Sequence, residues 1–377
     1  MTALPETILQ FGAGRFLRAF VDLFVHQANE AGQGIGKIVV VQTQGDGRAG
    51  LLNTGDGKYH VVVRGLENGA VIDRVDEVGS ISRALVAIQQ WPEVLTVARS
   101  PALKFVISNT TEAGYNLDPQ DRFDSAPANA FPAKLVQVLH ARFKAGLPSV
   151  TLIPCELREN QADVLRDIAV KLATEWKLES EFVEWLRDRC VWLNTLVDRI
   201  VVNAPADHPI AASDSLAIMA EPFAFFALQD KPSASPFVSH PSIRRAPDVL
   251  PYFLRKVRIL NGAHTALLIK AWPMGIRIVK DAMADPGLAS WLERLLFEEI
   301  VPTLADQVED AAGFARHTLE RFRNPFLQHK LSDIALHHAT KVKVRLEPTV
   351  EEFRQRFGKA PPLLTDVLEQ NRSVSFS

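Results

Sequence analysis

TILQFGAGRFLRAF, residues 7–20, decides the fold. Thr7 to Phe11 form a short apolar run of strand type that ends at Gly12-x-Gly14. From Arg15 the pattern turns helical, with Phe16, Phe20, Leu23 and Phe24 on one side of RFLRAFVDLFVHQANE. A second buried run, GKIVVVQT, completes a βαβ unit. The missing side chains at Gly12 and Gly14 let backbone N–H groups approach a pyrophosphate at a helix N-terminus, although a tight strand-to-helix turn also needs small residues. Arg15 and Arg18 favour the anion, because cations in a first helical turn oppose the helix dipole. The third position of the dinucleotide fingerprint is Leu17 in place of Gly.

Working outward, YHVVVRG, LKFVISN and SVTLIPCE read as further strands, and FPAKLVQVLHARFKAG and QADVLRDIAVKLATEW as helices between them. This alternation predicts an α/β class: a doubly wound, mostly parallel, Rossmann-like sheet. Pro- and Ser-containing stretches around 204–215 and 230–251 read as connections. Beyond them the period is helical throughout. The expected domains are therefore 1–250, binding a dinucleotide, and 251–377, helical, holding the substrate and the catalytic groups.

After the second strand, Asp46 can meet an adenosine ribose, which points to NAD, while Arg48 would suit the 2′-phosphate of NADP. Asn109 and Thr110 end another strand, where ligands of open α/β sheets bind, although Asn109-x-x-Glu112 is also a helix-capping arrangement. The candidate cofactor set is Gly12, Gly14, Arg15, Phe16, Arg18, Asp46, Asn109 and Thr110. Glu156 and Asn160 lie on the loop after the PCEL strand and are candidates for the substrate. Asp198 and Arg199 sit in the apolar NTLVDRIV, where a buried ion pair is the plain structural reading.

The chain has 377 residues, 47% hydrophobic and 23% charged, enough for a large core and two domains. A net charge of −2, with Lys and Arg spread along the chain, gives no reason to expect a polyanion partner, so no nucleic acid is expected. Apolar runs such as AEPFAFFAL fall short of the ~18 residues of a membrane span, and no signal-peptide pattern opens the chain. A cytoplasmic protein is expected. Cys155 and Cys190 form no Cys-x-x-Cys, and no His-Glu-x-x-His occurs, so no metal is expected.

RKVRILNGAHTALL, residues 255–268, is the unusual segment of the second domain. At about 100° per residue, Lys256, His264 and Asn261 fall near 0°, 80° and 140°, one arc of roughly 140° on an otherwise apolar helix. A snorkelling Lys, a satisfied Asn and a satisfied His would each be ordinary alone. Together, beside Gly262 and Ala263, they make a site. A desolvated Lys loses basicity toward working pH and can act as general base, while Asn and His donate to a developing alkoxide.

Lys256-x4-Asn261-x2-His264, together with LQFGAGRFLRAF, VISNTTEAGY, FPAKLVQVL, PCEL, TLVDRIV and RFRNPFLQHKL, resembles the mannitol dehydrogenase family of long-chain polyol-specific dehydrogenases, in order from about residue 7 to 348. The resemblance implies a metal-independent, NAD(P)-dependent oxidoreductase acting on a small-molecule sugar acid or polyol, above all the keto-acid and alcohol pair tagaturonate and altronate. Rival readings are fructuronate and mannonate, a neutral hexitol such as mannitol, and a dinucleotide-binding sensor without turnover. It implies Lys256 as base, Asn261 and His264 as the oxyanion pair, and Asp198, Arg321 and Asn324 on the substrate side. Arg321, Arg323, His329 and Lys330 crowd one segment, which favours an acid. On a helix Arg321 and Arg323 point about 160° apart, and the resemblance selects Arg321. The chain departs from the family at Gln161-Ala162, at the Val-Val after Val-Asp-Arg-Ile, and in a shorter portion after Pro348.

Overall fold

The computed structural model describes residues 4–43, 45, 47–67, 70–110 and 112–376. These divide into two compact units, one of residues up to Val63 and Arg74–Val249, the other of Arg64–Asp73 and Leu250–Ser377. No helix among the described residues is long and apolar enough to cross a membrane.

In the first unit the strands are β1 (Glu6–Phe11), β2 (Lys37–Gln42), β3 (Tyr59–Glu67), β4 (Ala70–Val78), β5 (Ile81–Val86), β6 (Phe105–Ser108), β7 (Thr151–Pro154), β8 (Val191–Trp192), β9 (Thr195–Asp198), β10 (Val201–Asn203), β11 (Ile218–Ala220), β12 (Phe225–Gln229) and β13 (Ile243–Ala246). The main sheet runs β5-β2-β1-β6-β7-β8, with all its described pairings parallel. It is a Rossmann-like, doubly wound sheet. Its principal helices are α1 (Arg15–Arg18), α2 (Val21–Glu30), α3 (Arg48–Thr54), α4 (Trp91–Ala98), α5 (Phe131–Lys144) and α6 (Gln161–Glu175). Leu9, Phe11, Val39 and Val41 join Val94, Val97, Leu135, Leu139, Leu165 and Leu172 of α4, α5 and α6 in one core. Successive strand residues point to opposite faces, so the equally buried Ile8, Ile38, Val40 and Ile107 serve the other face. A strand buried on both faces has no polar alternation, which is why these runs read as continuous apolar stretches.

Residues 195–246 supply β9 to β13, of which only β13 falls in a stretch read as a connection, and with β3 and β4 they build two further sheets, β10-β11-β3-β4 and β13-β12-β9. These mix parallel and antiparallel pairs. Strands of three to five residues among prolines leave too short a pattern to read.

The helix expected over residues 15–30 is two helices, broken at Ala19–Phe20. Tyr59 Oη donates to Arg18 O at 2.8 Å and Arg199 Nη1 to Ala19 O at 2.7 Å, so two carbonyls that would continue the helix are claimed from elsewhere. The other nitrogens of Arg199 donate to Glu221 O, so its guanidinium fastens backbone carbonyls on two segments.

The second unit is helical around Gly262–Ala271, a helix buried at nearly every residue. Helices Val279–Ala284, Pro286–Arg294, Leu331–Ala335, His338–Arg345 and Pro362–Asn371 pack against it. The preceding Arg255–Asn261 is π-helical.

Candidate active site

The β-strand order reverses at β1, whose neighbours are β2 and β6, and the crevice above such a reversal is where open α/β sheets bind ligands. Gly12 has φ +119°, and a Cβ there would lie 3.0 Å from Asn109 O, so the turn after β1 is closed against the end of β6 by the absence of a side chain. Gly14 has φ −65° and open space around it, a conformation any residue adopts. A cavity of about 420 Å³ opens here, with Gly12, Ala13, Gln42, Thr43, Arg48, Asn109, Thr110 and Lys134 on its wall. The glycine cradle and the polar wall fit a dinucleotide.

Of the expected cofactor residues, the structure brings Gly12, Asn109 and Thr110 together on this wall, and Gly14 caps the helix beside it. Arg15, Phe16 and Arg18 are elsewhere. Arg15 Nη1 donates to Asn203 Oδ1 at 3.4 Å, and Phe16 stacks on Phe20 at 5.0 Å. Arg18 is buried, donates to Leu216 O and lies over the Tyr59 ring, so its cation anchors the fold and faces no anion in the cavity. The dipole argument fails because α1 is only four residues long. Asp46 lies outside the described residues. Gln42, Thr43, Asn129 and Lys134 were missed; Lys134 lies within the quoted FPAKLVQVL but with no role read for it, and the others have only a place at strand and helix ends.

Glu156, expected at the substrate, is 3% exposed and fully engaged. Its Oε1 accepts from Thr110 N and Oγ1, both at 3.0 Å, and its Oε2 from Ser108 Oγ at 3.1 Å and Tyr115 Oη at 3.2 Å. Burial raises its pKa against the pull of the Thr110 and Ser108 hydrogen bonds. It holds the loop after β6 in shape, with Asn109 Nδ2 donating to Cys155 O at 2.6 Å beside it. Asn160 is exposed, with φ +48°, at the N-cap of α6. Asp198 is buried at the end of β9, in register with Phe225.

Behind the glycine turn, Gln10 Nε2 donates to Gly12 O at 3.2 Å and to Asp22 Oδ2 at 3.4 Å. Burial pushes the Asp22 carboxyl from 3.8 up to about 7. The native state therefore keeps a proton that the unfolded chain releases near 4, and stability falls as pH rises through about 7. Asp22→Asn should flatten that slope and gain at least about 1 kcal/mol at pH 8. Urea denaturation at pH 5 and 8 checks this; an unchanged slope would mean that the group ionises normally.

In the second unit, π winding gathers the triplet. An i→i+5 turn advances about 85° per residue, so Asn261 falls near 65° from Lys256 and His264 near 5°, an arc about half the expected one. Asn261 and His264 are 7% and 5% exposed. Asn261 Nδ2 and His264 Nε2 have no hydrogen-bond partner among the described residues, a condition that costs about 1–3 kcal/mol per buried group. The His264 ring stacks on Phe322 at 4.0 Å and meets the edge of His329 at 4.8 Å. Burial first, then the charges of His329, Arg345, Arg321 and Lys256, hold the His264 pKa well below its ordinary value. These surroundings favour the neutral imidazole, which keeps one N–H to donate.

Arg321 is buried, on helix Ala311–Phe322, and Arg323 is exposed. Asn324, expected at the substrate, is occupied: Nδ2 donates to Arg64 O at 3.2 Å and Oδ1 accepts from Phe326 N at 3.1 Å. Its amide fastens residues 64 and 326, with the Arg64 guanidinium 4.3 Å over Phe326. His329 and Arg345 join the cationic group; only His329 stood in a segment read as cationic.

The chain matches the family models for the mannitol dehydrogenase Rossmann domain over residues 6–238 and the mannitol dehydrogenase C-terminal domain over 248–368. It is 38% identical to an altronate oxidoreductase of Yersinia enterocolitica over 379 aligned residues, 97% of this chain and 78% of that one. An altronate oxidoreductase of Bacillus subtilis is 36% identical, covering 96% and 78%. In fold it is similar to Pseudomonas fluorescens mannitol 2-dehydrogenase, solved as a ternary complex with NAD and D-mannitol, at TM-score 0.85 and 22% identity over 97% of this chain and 78% of that one. A D-sorbitol dehydrogenase in substrate-free form gives 0.82 and 24%, over 98% and 80%. With both domains matched in order, the chain belongs to the mannitol dehydrogenase family.

Proposed function

We propose that this chain is an NAD-dependent oxidoreductase that interconverts tagaturonate and altronate. The observation that carries the reading is the pair of buried, unpartnered donors, Asn261 Nδ2 and His264 Nε2, set among Lys256, Arg321, His329 and Arg345. Unpaired donors beside basic side chains suit an oxygen that develops negative charge, and a group of basic side chains suits a carboxylate. The naming of the relatives as altronate oxidoreductases supports the acid over a neutral hexitol.

The Gly12–Ala13 turn and Asn109 would hold the dinucleotide. When bound there, the dinucleotide would supply a hydride to the ketone carbon in reduction and accept it in oxidation. Asn261 and His264 donate to the substrate oxygen, and the neutrality of His264 keeps its N–H a donor that does not compete for the proton. Lys256 gives its proton to that oxygen in reduction and takes it in oxidation. NADH and NADPH oxidation with tagaturonate, fructuronate and fructose tests the assignment; turnover confined to fructose would replace the acid by a neutral sugar.

Arg321 binds the carboxylate on this reading. Arg321→Ala should raise KM for tagaturonate about ten- to a hundred-fold, the range of a charge-assisted contact, and leave residual activity on uncharged ketoses intact. Equal losses on both would make Arg321 a support of the fold.

A further inference from the structure

Lys134 stands near the start of α5, in the segment FPAKLVQVL, and is 5% exposed, yet it lies on the wall of the cavity that Gly12, Ala13 and Asn109 share. Its ammonium has one hydrogen-bond partner among the described residues, Asn129 O. Asp121 is the group whose charge favours the ammonium, though its described hydrogen bonds go to backbone: Oδ1 accepts from Asn129 N and Oδ2 from Ala130 N at 2.8 Å. Burial works against the charge and lowers the pKa. A lysine offers three N–H bonds, so two remain for something in the cavity. A buried ammonium whose one direct hydrogen-bond partner is neutral gains further from an anion that bonds it directly. NAD carries its negative charge on the pyrophosphate, and the Gly12–Ala13 turn is where phosphates approach a Rossmann sheet.

We infer that Lys134 is a cofactor-binding residue whose ammonium pairs with the pyrophosphate of the dinucleotide. The inference rests on the reading that this cavity takes NAD. It gives the cavity a second cation besides Arg48, and it explains why a lysine is buried at a helix start where an apolar residue would pack at lower cost. A lysine that only fastened the Asn129 loop would not distinguish phosphorylated from unphosphorylated ligands.

The test is calorimetric titration of the wild type, Lys134→Met and Lys134→Gln with NADH, ADP and adenosine, with the Tm of each protein. Gln keeps a donor for Asn129 O and removes the charge. Both variants should bind NADH and ADP about ten- to a hundred-fold more weakly, with adenosine binding unchanged. Equal losses on ADP and adenosine, or a loss in Met that Gln restores, would make Lys134 a loop fastener and overturn the inference. Unchanged ADP affinity would overturn it as well, as would a defect confined to NADPH, which would move the ammonium to the 2′-phosphate. If the wild type itself binds neither NADH nor ADP, the NAD reading fails and takes this inference with it; wild-type binding matched by both variants sinks the inference alone.

Discussion

Lys256→Ala loses about 10²- to 10⁴-fold in kcat while keeping its affinity for NADH. Lys256 lies in the π-helical Arg255–Asn261 segment, and in the derived winding it points within about 65° of both Asn261 and His264. It is half-buried and contributes to the positive surroundings of His264. Removing it deletes the group that moves the proton and leaves the cavity of the first unit as it was, so binding and turnover separate. Lys256→Arg should not recover the rate, because a guanidinium stays protonated at working pH and cannot accept the alcohol proton. A small primary amine added to Lys256→Ala should restore part of it. A variant with near-wild-type kcat would show that the proton goes elsewhere and that Lys256 serves packing.

The second large effect is at the donor pair. Asn261→Leu and His264→Ala should each cost about 10²- to 10³-fold in kcat, the loss typical of one oxyanion donor, and the double variant much less than the product, because the two act on one oxygen. Stability separates a catalytic donor from a core residue. Asn261 Nδ2 is buried without a partner, so the near-isosteric leucine removes an unsatisfied group and should hold or raise the Tm while activity falls. A leucine variant that melted early and turned over normally would mark Asn261 as a structural amide. His264→Ala, by contrast, leaves a void against Phe322, so its Tm falls and only its kinetics are informative.

Several parts were legible before any coordinates. The apolar run into Gly12-x-Gly14 signals a strand and a close turn because backbone geometry, which only glycine permits at φ +119°, is a local property. The Lys256, Asn261 and His264 spacing stands out because polar residues on an apolar helix are costly anywhere. Arg321 and Arg323 differ in burial as two residues on opposite sides of one helix must.

What tertiary structure alone decided is which polar groups are already spoken for. Glu156 reads as a ligand contact by position and Asn324 by resemblance, yet their partners Thr110 and Arg64 are 46 and 260 residues away. Arg18 reads as a phosphate ligand until Leu216, 198 residues on, takes its guanidinium. Lys134 carries no mark in the sequence of the cavity wall on which the fold places it. Even the triplet's arc depended on packing, since a fixed step of about 100° per residue cannot register an i→i+5 segment. Sequence carries local conformation and the cost of burying polarity; it does not carry the identity of the distant donor or acceptor that meets that cost, because that partner exists only once the chain has folded.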